Sequence, residues 1–493
     1  MKDIDFALVE TKRPPMYTAM KYWGKKPHNI WGAYIAHYTQ EGDVILDPFS
    51  GSAIAAFEAV RCGRKAIAFD INPMTSFLID VYSTEFSAAR MGQAAGRIAA
   101  EVAGSPVYRR YMTVRCARCG APNAEVQHTK WENGHPYEMG VACPACGRRY
   151  LAVPDGEMRA LALEAEGLEI PFWYPADPFF ESPSFSKSFV KNIGGGSFDR
   201  LWTKRNLFVL AYIFDRILQQ PEQDLQKQLL FGFVQTLHLA SKMCVPRRAG
   251  ANRDFSTSWG RAAYLCSGRQ MEMNPLLLFQ RSCLGKQSVE SALTSVKSHL
   301  GRVPSAKRYI PGMDVMAELQ AHDILYGVVD IKELDKALPA QSISFVITDP
   351  PYGGLVQYLD LSCVWLVWLR QYSPLLSPCL EKEITVKKGQ KGLEEYSRDF
   401  TRGIQNLHRV LKDDGRAVFT FHNKDLAVWK SFLHSLGQAG FCVENAIHQQ
   451  NRRTGESNVA NPYGTSASDF YIRCIKASGA GQPAPKIGFE AFV

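Results

Sequence analysis

Asp349-Pro350-Pro351-Tyr352 sets four different chemistries side by side. The carboxylate can accept a hydrogen bond from an amine. Pro350 lacks an N–H but keeps its carbonyl as a second acceptor, and the paired prolines stiffen the turn. Tyr352 offers a flat face on which a planar ring can stack. The preceding run, Ser344-Phe345-Val346-Ile347-Thr348, is short, apolar and β-branched, and reads as a buried strand. The four groups would then stand at one sheet edge, as a pocket for an exocyclic amino group on a nucleobase. An Asp-Pro-Pro turn is also ordinary punctuation after a strand, so a second segment has to separate the two readings.

That segment runs from Gly42 to Pro73. Asp43 to Asp47 reads as a strand, Pro48 to Ser52 as a tight turn, and Ala53 to Cys62 as an Ala-rich helix. Lys65 to Phe69 then reads as a second strand ending on Asp70. Small residues stand where a ligand must approach the backbone of this β-turn-α-β unit. An acid at the tip of the second strand can bind ribose hydroxyls, so a nucleotide-type cofactor is expected across the carboxyl ends of the strands. A single glycine, Gly51, is equally compatible with a plain α/β crossover.

The two segments together resemble the amino-methyltransferases of DNA, which bind S-adenosylmethionine and methylate N6 of adenine or N4 of cytosine. The cofactor motif of that family, Asp-Pro-Phe-x-Gly-x-Gly, is matched by Asp47-Pro48-Phe49-Ser50-Gly51-Ser52-Ala53, with Ala53 in place of the last glycine. The catalytic motif is unaltered at Asp349 to Tyr352. Lys21-Tyr22-Trp23-Gly24-Lys25-Lys26-Pro27-His28 resembles the Lys-Pro segment that the family sets beside the methionine end of the cofactor. The resemblance spans about residues 15–82 and 320–476 and is nearest to adenine-specific methylases with an internal zinc ribbon. It implies an α/β, Rossmann-like class I methyltransferase sheet. It also implies catalytic roles for Asp349, Pro350, Pro351 and Tyr352, and cofactor contacts from Trp23, Lys26, Pro27, Asp47, Pro48, Phe49, Gly51 and Asp70. Asp330, after the strand read at Asp323 to Gly327, matches at an unusual offset an acid that contacts the cofactor's adenine.

Twelve cysteines suggest disulfides, but four of them form Cys116-x-x-Cys119 and Cys143-x-x-Cys146, with 23 residues between the pairs. Two matched knuckles, each followed by glycine, have the spacing of a closed four-thiolate zinc site. The gap slightly exceeds the usual window, which a longer hairpin would absorb. A redox role would need one such pair at a helix start. Structural Zn²⁺ is therefore expected, with His128 and His135 left on the surface.

The 493 residues are 46% apolar, enough for two or three domains. No long uncharged apolar run suggests a membrane span. The N-terminus lacks a signal-peptide pattern, so a cytoplasmic protein is expected. A net charge of +9 favours a polyanionic partner. From Lys242 to Gln270, the cations Lys242, Arg247, Arg248, Arg253, Arg261 and Arg269 face one acid, Asp254, and interleave with Trp259 and Tyr264. Such a stretch suits phosphate contacts and base stacking, although basic runs are often merely solvated. Phe198 to Lys242 reads as helical, with Leu207, Leu210, Ile213 and Ile217 on one face. Gly194 to Gly196 reads as a turn rather than a phosphate cradle.

Beyond Tyr352, helices are expected over Val356 to Arg370 and Arg398 to Leu411. A strand at Arg416 to Phe421 then ends on His422-Asn423, before a closing antiparallel pair at Phe441 to Ile447 and Phe470 to Lys476. The expected division is a discontinuous catalytic domain (1–82 and 320–476), a zinc ribbon (105–152), a helical and basic target-recognition region (153–319) and a loose tail (477–493). The function implied is site-specific transfer of methyl from S-adenosylmethionine to adenine N6 in double-stranded DNA, with the target base flipped out. An N4-cytosine methylase, an RNA amino-methylase and an inactive zinc-ribbon binding protein are the alternatives. A restriction or phage-defence partner is possible within that family, but no nuclease signature is visible in this chain.

Overall fold

The computed structural model describes residues 3–20, 22–246, 255–257, 263–370, 376–450 and 468–477. Eight strands form its main sheet: β1 (Val44–Asp47), β2 (Lys65–Asp70), β3 (Ala306–Arg308), β4 (Ile324–Val328), β5 (Ile343–Thr348), β6 (Leu411–Phe421), β7 (Phe441–Gln450) and β8 (Ser468–Lys476). Their order is β3-β4-β2-β1-β5-β6-β8-β7. All run parallel except β8, which is antiparallel to both neighbours. The chain moves outward from β1 through β2, returns, and continues from β5 on the other side. The crevice between the carboxyl ends of β1 and β5 is therefore the topological switch point, where open α/β sheets bind ligands.

The sheet is covered on both faces, which is why its inner strands read as continuous apolar runs. Ile45, Ala66, Ala68, Ile324, Phe345 and Ile347 face one core, while Leu46, Ile67, Phe69, Leu325, Val346 and Phe419 face the other. This is the two-residue alternation of a pleated strand. Helices Leu393–Val410 and Leu426–Gln438 cover the second face. The first carries helices His28–Tyr38, Ile54–Arg61 and Pro73–Tyr82, and the insert packs into the same core through Lys204–Leu218, Gln223–Leu239, Pro275–Cys283 and Val289–Leu300.

Several boundaries differ from the sequence reading. The sheet resumes at β3, inside the stretch assigned to the insert; three residues with Lys307 and Arg308 give no apolar signal, as suits a short charged edge strand. The helical stretch from Phe198 breaks into two helices around Pro221. Gly194, at φ 86°, ends helix Lys187–Ile193. The helix after Tyr352 spans only Tyr358–Leu366, an unforeseen short helix follows at Leu376–Lys382, and the helix expected from Arg398 begins at Leu393, on a polar first turn with Glu394 and Glu395. The strand expected from Arg416 begins already at Leu411 and takes in Asp413 to Gly415.

The four cysteines belong to a second sheet built on the hairpin Ala124–Glu132 and His135–Ala142, turned at Asn133-Gly134. This hairpin fills the long gap between the knuckles. Strand Arg269–Met273, from beyond residue 152, pairs with Ala124–Glu132 and stitches the ribbon to the helical region.

Candidate active site

The turn after β1 is closed mainly by its own backbone and by the end of β2. Asp47 Oδ1 accepts from Phe49 N at 3.1 Å and from Thr348 Oγ1 at 2.6 Å, which ties β1 to β5. Ser50 Oγ donates to Asp47 O, and Ser50 N to Phe69 O. Asp70, at the tip of β2, accepts from Gly51 N at 2.6 Å and from Asn72 N at 2.8 Å. Burial pushes its carboxyl up to about 6 against those two donors. Gly51 has φ 49°, and a Cβ there would meet the Tyr22 ring at 3.1 Å. Ala53, where the family motif has glycine, also sits in the left-handed region at φ 59° and starts helix Ile54–Arg61. A glycine would adopt that conformation without the cost an L side chain incurs, roughly 1–2 kcal/mol.

The turn after β5 is held by side chains from far away. Asp349 Oδ1 is the focus: Lys26 Nζ lies 3.0 Å away, Thr420 Oγ1 donates at 2.6 Å, and Tyr352 OH donates to the same oxygen. Lys26 also reaches Asp469 Oδ2 at 3.0 Å and Tyr352 OH at 2.9 Å. Tyr396 OH donates to Pro351 O at 2.7 Å, and Asn423 Nδ2 to Tyr352 O at 3.1 Å. The Tyr352 ring packs edge-on against Phe421 at 5.0 Å. No hydrogen bond from the described residues reaches Asp349 Oδ2, which lies 3.8 Å from where a Cβ on Gly24 would stand. One oxygen of the carboxylate is thus anchored and the other is open to an incoming donor. Burial and the nearby Asp469 raise the Asp349 carboxyl while Lys26 opposes them. Burial works against the Lys26 ammonium, but the two carboxylates outweigh it and lift Lys26 above its usual range.

Between the two turns lies an open cavity. Trp23, Lys26, Phe49, Gly51, Asp70 and Asp349 line it, so the structure brings these residues of the sequence reading together. Asp47 and Pro48 are buried behind the turn, and Pro27 caps helix His28–Tyr38. Asp330 does not line the cavity: its Oδ1 accepts from Lys332 N at 2.9 Å and its Oδ2 lies 3.4 Å from Lys332 Nζ, so its carboxylate caps a short helical turn. Of the expected catalytic residues, Asp349 and Pro351 line the cavity, and Pro350 and Tyr352 do not. Sequence reasoning missed Asn72, Tyr358, Glu383 and Thr385 in the cavity wall, and Asp469 and Thr420 beside Asp349. Asn72 and Tyr358 adjoin the motifs. The others carry no local signal.

The cysteine cluster forms two matched turns. Gly120 N donates to Cys116 O and Gly147 N to Cys143 O, both at 2.9 Å, with the glycines at φ 74° and 67°. All four Sγ atoms lie within 4.8 Å of one another, with Cys116–Cys146 at 3.9 Å and Cys119–Cys143 at 3.6 Å. A tetrahedron of thiolates about 2.3 Å from a central Zn²⁺ has edges of roughly 3.8 Å, so the four sulfurs fit that ion. His135 is exposed and His128 lies across Gly140.

Within the basic stretch, Arg247, Arg248, Arg253, Trp259 and Arg261 lie outside the described residues. Lys242 turns inward and donates to Ile193 O at 3.0 Å. Arg269 is exposed and paired with Glu132 at 2.7 Å. Tyr264, read with these cations as a base-stacking residue, is fully buried: its ring stacks on Phe185 at 5.0 Å and its hydroxyl donates to Asp360 O at 2.7 Å. It anchors the stretch to helix Tyr358–Leu366. Among the described residues no helix is long and apolar enough to cross a membrane.

Solved structures similar to part of the chain include one from Thermus thermophilus with a provisional assignment as a DNA modification methylase. It is 17% identical, covers 33% of this chain and 61% of its own, and has a TM-score of 0.19. A provisionally assigned type 11 methyltransferase from Sulfolobus solfataricus is 14% identical, covers 39% and 82%, and scores 0.17. A provisionally assigned methyltransferase from Thermoplasma acidophilum is 15% identical, covers 37% and 62%, and scores 0.19. The chain thus spans about three fifths of the length of the first of these. No curated protein is detectably similar to the chain. Residues 9–76, which carry the Lys26 segment and the whole turn from Asp47 to Asp70, match the DNA methylase family.

Proposed function

We propose that the chain is an S-adenosylmethionine-dependent methyltransferase acting on the N6 amino group of adenine in double-stranded DNA. One observation carries the reading. Asp349 stands at the switch point with one oxygen fixed by Lys26, Thr420 and Tyr352 and the other directed to a cavity shared with the Gly51–Asp70 turn. An adenine amino nitrogen is a poor nucleophile because its lone pair is delocalised into the ring. Asp349 Oδ2 and the Pro350 carbonyl would each accept one amine hydrogen, turning the lone pair toward the methyl group. Bound S-adenosylmethionine supplies a methyl already made electrophilic by its sulfonium. Positioning then supplies much of the remaining acceleration. Gly51 and Asp70 would hold the nucleoside part. The target base must leave the duplex to reach Asp349, where Tyr352 would flank it. Cys116, Cys119, Cys143 and Cys146 would hold one structural Zn²⁺ that keeps the ribbon folded and takes no part in transfer. The ribbon with the basic stretch is the proposed target-recognition surface.

The test is transfer of labelled methyl from S-adenosylmethionine to duplex DNA, with equal masses of RNA as competitor. Incorporation into DNA that RNA does not suppress is expected. Incorporation into RNA alone, or into neither, would overturn the reading, and label in N4-methylcytosine would replace adenine as the target.

A further inference from the structure

One wall of the cavity comes from a strap, residues 383–386, that the sequence motifs do not announce. Val386 N donates to Gly353 O at 3.2 Å, and Gln357 Nε2 to Val386 O at 3.0 Å, so the strap is tied to the chain leaving Tyr352. Glu383 opens the strap and is 5% exposed. Its Oε1 accepts from Leu359 N at 3.0 Å and caps the first turn of helix Tyr358–Leu366. Its Oε2 is buried with no hydrogen-bond partner. The nearby ammonium, Lys387 Nζ, stands 3.9 Å away and is committed to Asp360 Oδ1 at 2.8 Å.

Capping needs only one carboxyl oxygen. Leaving the second buried without a donor is costly, so the cap does not account for a glutamate here. The residue lines the cavity, and a ligand there can supply the missing donor. Its side of the cavity is the nucleoside side. The Leu359 N that Glu383 caps adjoins Tyr358, whose ring stacks on Tyr22 at 6.1 Å, and Tyr22 OH lies 3.3 Å from Asn72 Nδ2, next to Asp70. The Lys26, Asp349 and Asp469 group occupies the transfer end. Asp330, expected to meet the cofactor's base, is spent on Lys332 instead. Burial pushes the Glu383 carboxyl up to about 7 against the Lys387 charge and the Leu359 donor.

We propose that Glu383 Oε2 accepts a hydrogen bond from the nucleoside half of the bound cofactor, given by the base amino group or a ribose hydroxyl. The proposal rests on the reading that this cavity takes S-adenosylmethionine. Glu383→Gln tests it without removing the cap, because the amide oxygen still accepts from Leu359 N while an NH₂ replaces the open oxygen. Glu383→Met is the second variant. Titration calorimetry of the full chain with S-adenosylhomocysteine, 5′-methylthioadenosine and S-inosylhomocysteine is read beside the melting temperature without ligand.

Glu383→Gln should melt as the wild type does and Glu383→Met lower, for loss of the cap, and both should bind the homocysteine and methylthio compounds about tenfold to a hundredfold more weakly. If Glu383→Gln recovers affinity for the inosine compound, whose base carries a carbonyl instead of the amine, the donor is the base amino group. If it does not, the donor is a ribose hydroxyl. Unchanged affinity in the variants would overturn the proposal, as would a loss for S-adenosylhomocysteine without one for 5′-methylthioadenosine. Failure of the wild type to bind any of the three would overturn the cofactor reading itself, and this inference with it.

Discussion

The turns after β1 and β5 face each other across the same cavity but are built on opposite principles. The first is largely local: within 26 residues Phe49 N and Ser50 Oγ bond Asp47, and Gly51 N and Asn72 N bond Asp70, with Thr348 reaching in from β5. The second depends on Lys26, Tyr396, Thr420, Asn423 and Asp469, drawn from both ends of the chain. A ligand common to a large family can be held by a local backbone trap. On the proposed function, Asp349 needs its open oxygen aimed and its charge state set, and remote side chains would do both. Damage to the first turn should weaken binding, whereas damage to the second should stop transfer.

The largest effect is expected at the second turn. Asp349→Ala should reduce methyl transfer by at least about a thousandfold while S-adenosylmethionine affinity stays within about threefold, measured by turnover and calorimetry. Lys26→Met should both slow transfer and destabilise the fold, because it strands Asp349 and Asp469 as buried carboxylates. Losing one partner of such a group costs about 3–5 kcal/mol, readable as a shift in the urea midpoint. Equal stability in Lys26→Met would remove the distinction drawn between the turns.

Changes at the first turn and the ribbon should be smaller in turnover. Metal analysis of the wild type should find a single zinc, and Cys116→Ser should lose it and lower the melting temperature. Asp70→Asn should weaken cofactor binding about tenfold with little change in saturated rate. The pH dependence has a defined sign. The Asp70 carboxyl titrates near 6 in the folded chain, above its unfolded value. Its contribution to stability is therefore fully present below about pH 4 and lost as pH rises to about 6, by about 3 kcal/mol at most. Relative to Asp70→Asn, the ligand-free wild type should lose stability over that window, while its cofactor affinity rises as Asp70 ionises. The smallest effect belongs to Ala53→Gly: relief of the left-handed alanine, about 1 kcal/mol, is nearly offset by the loss of a buried methyl, about 0.8 kcal/mol. Its urea midpoint should barely move.

The same contrast explains what could be read from the chain. Strand, turn and helix around Asp47 to Asp70 are local, so their spacing announced them. Asp349 was legible because two prolines mark it, and the cysteine cluster because its knuckles repeat. Asp469 meets Lys26 across 443 positions at the start of a strand, where nothing in the neighbouring residues distinguishes it. Glu383 follows a short helix whose polar residues give no functional pattern. Tyr264 misled because an aromatic among cations suits base stacking, and only packing against Phe185 and Asp360 reveals that it is buried. Asp330 followed the family's placement of an acid after β4, but Lys332, two residues on, captures it.

The most direct test of the central claim is mass spectrometry of nucleosides from duplex DNA incubated with the purified chain and S-adenosylmethionine carrying a deuterated methyl group. Wild type should yield deuterated N6-methyladenine, and Asp349→Ala should yield none while still binding the cofactor. Unlabelled DNA with a folded, cofactor-bound wild type, or equal labelling by Asp349→Ala, would contradict the account.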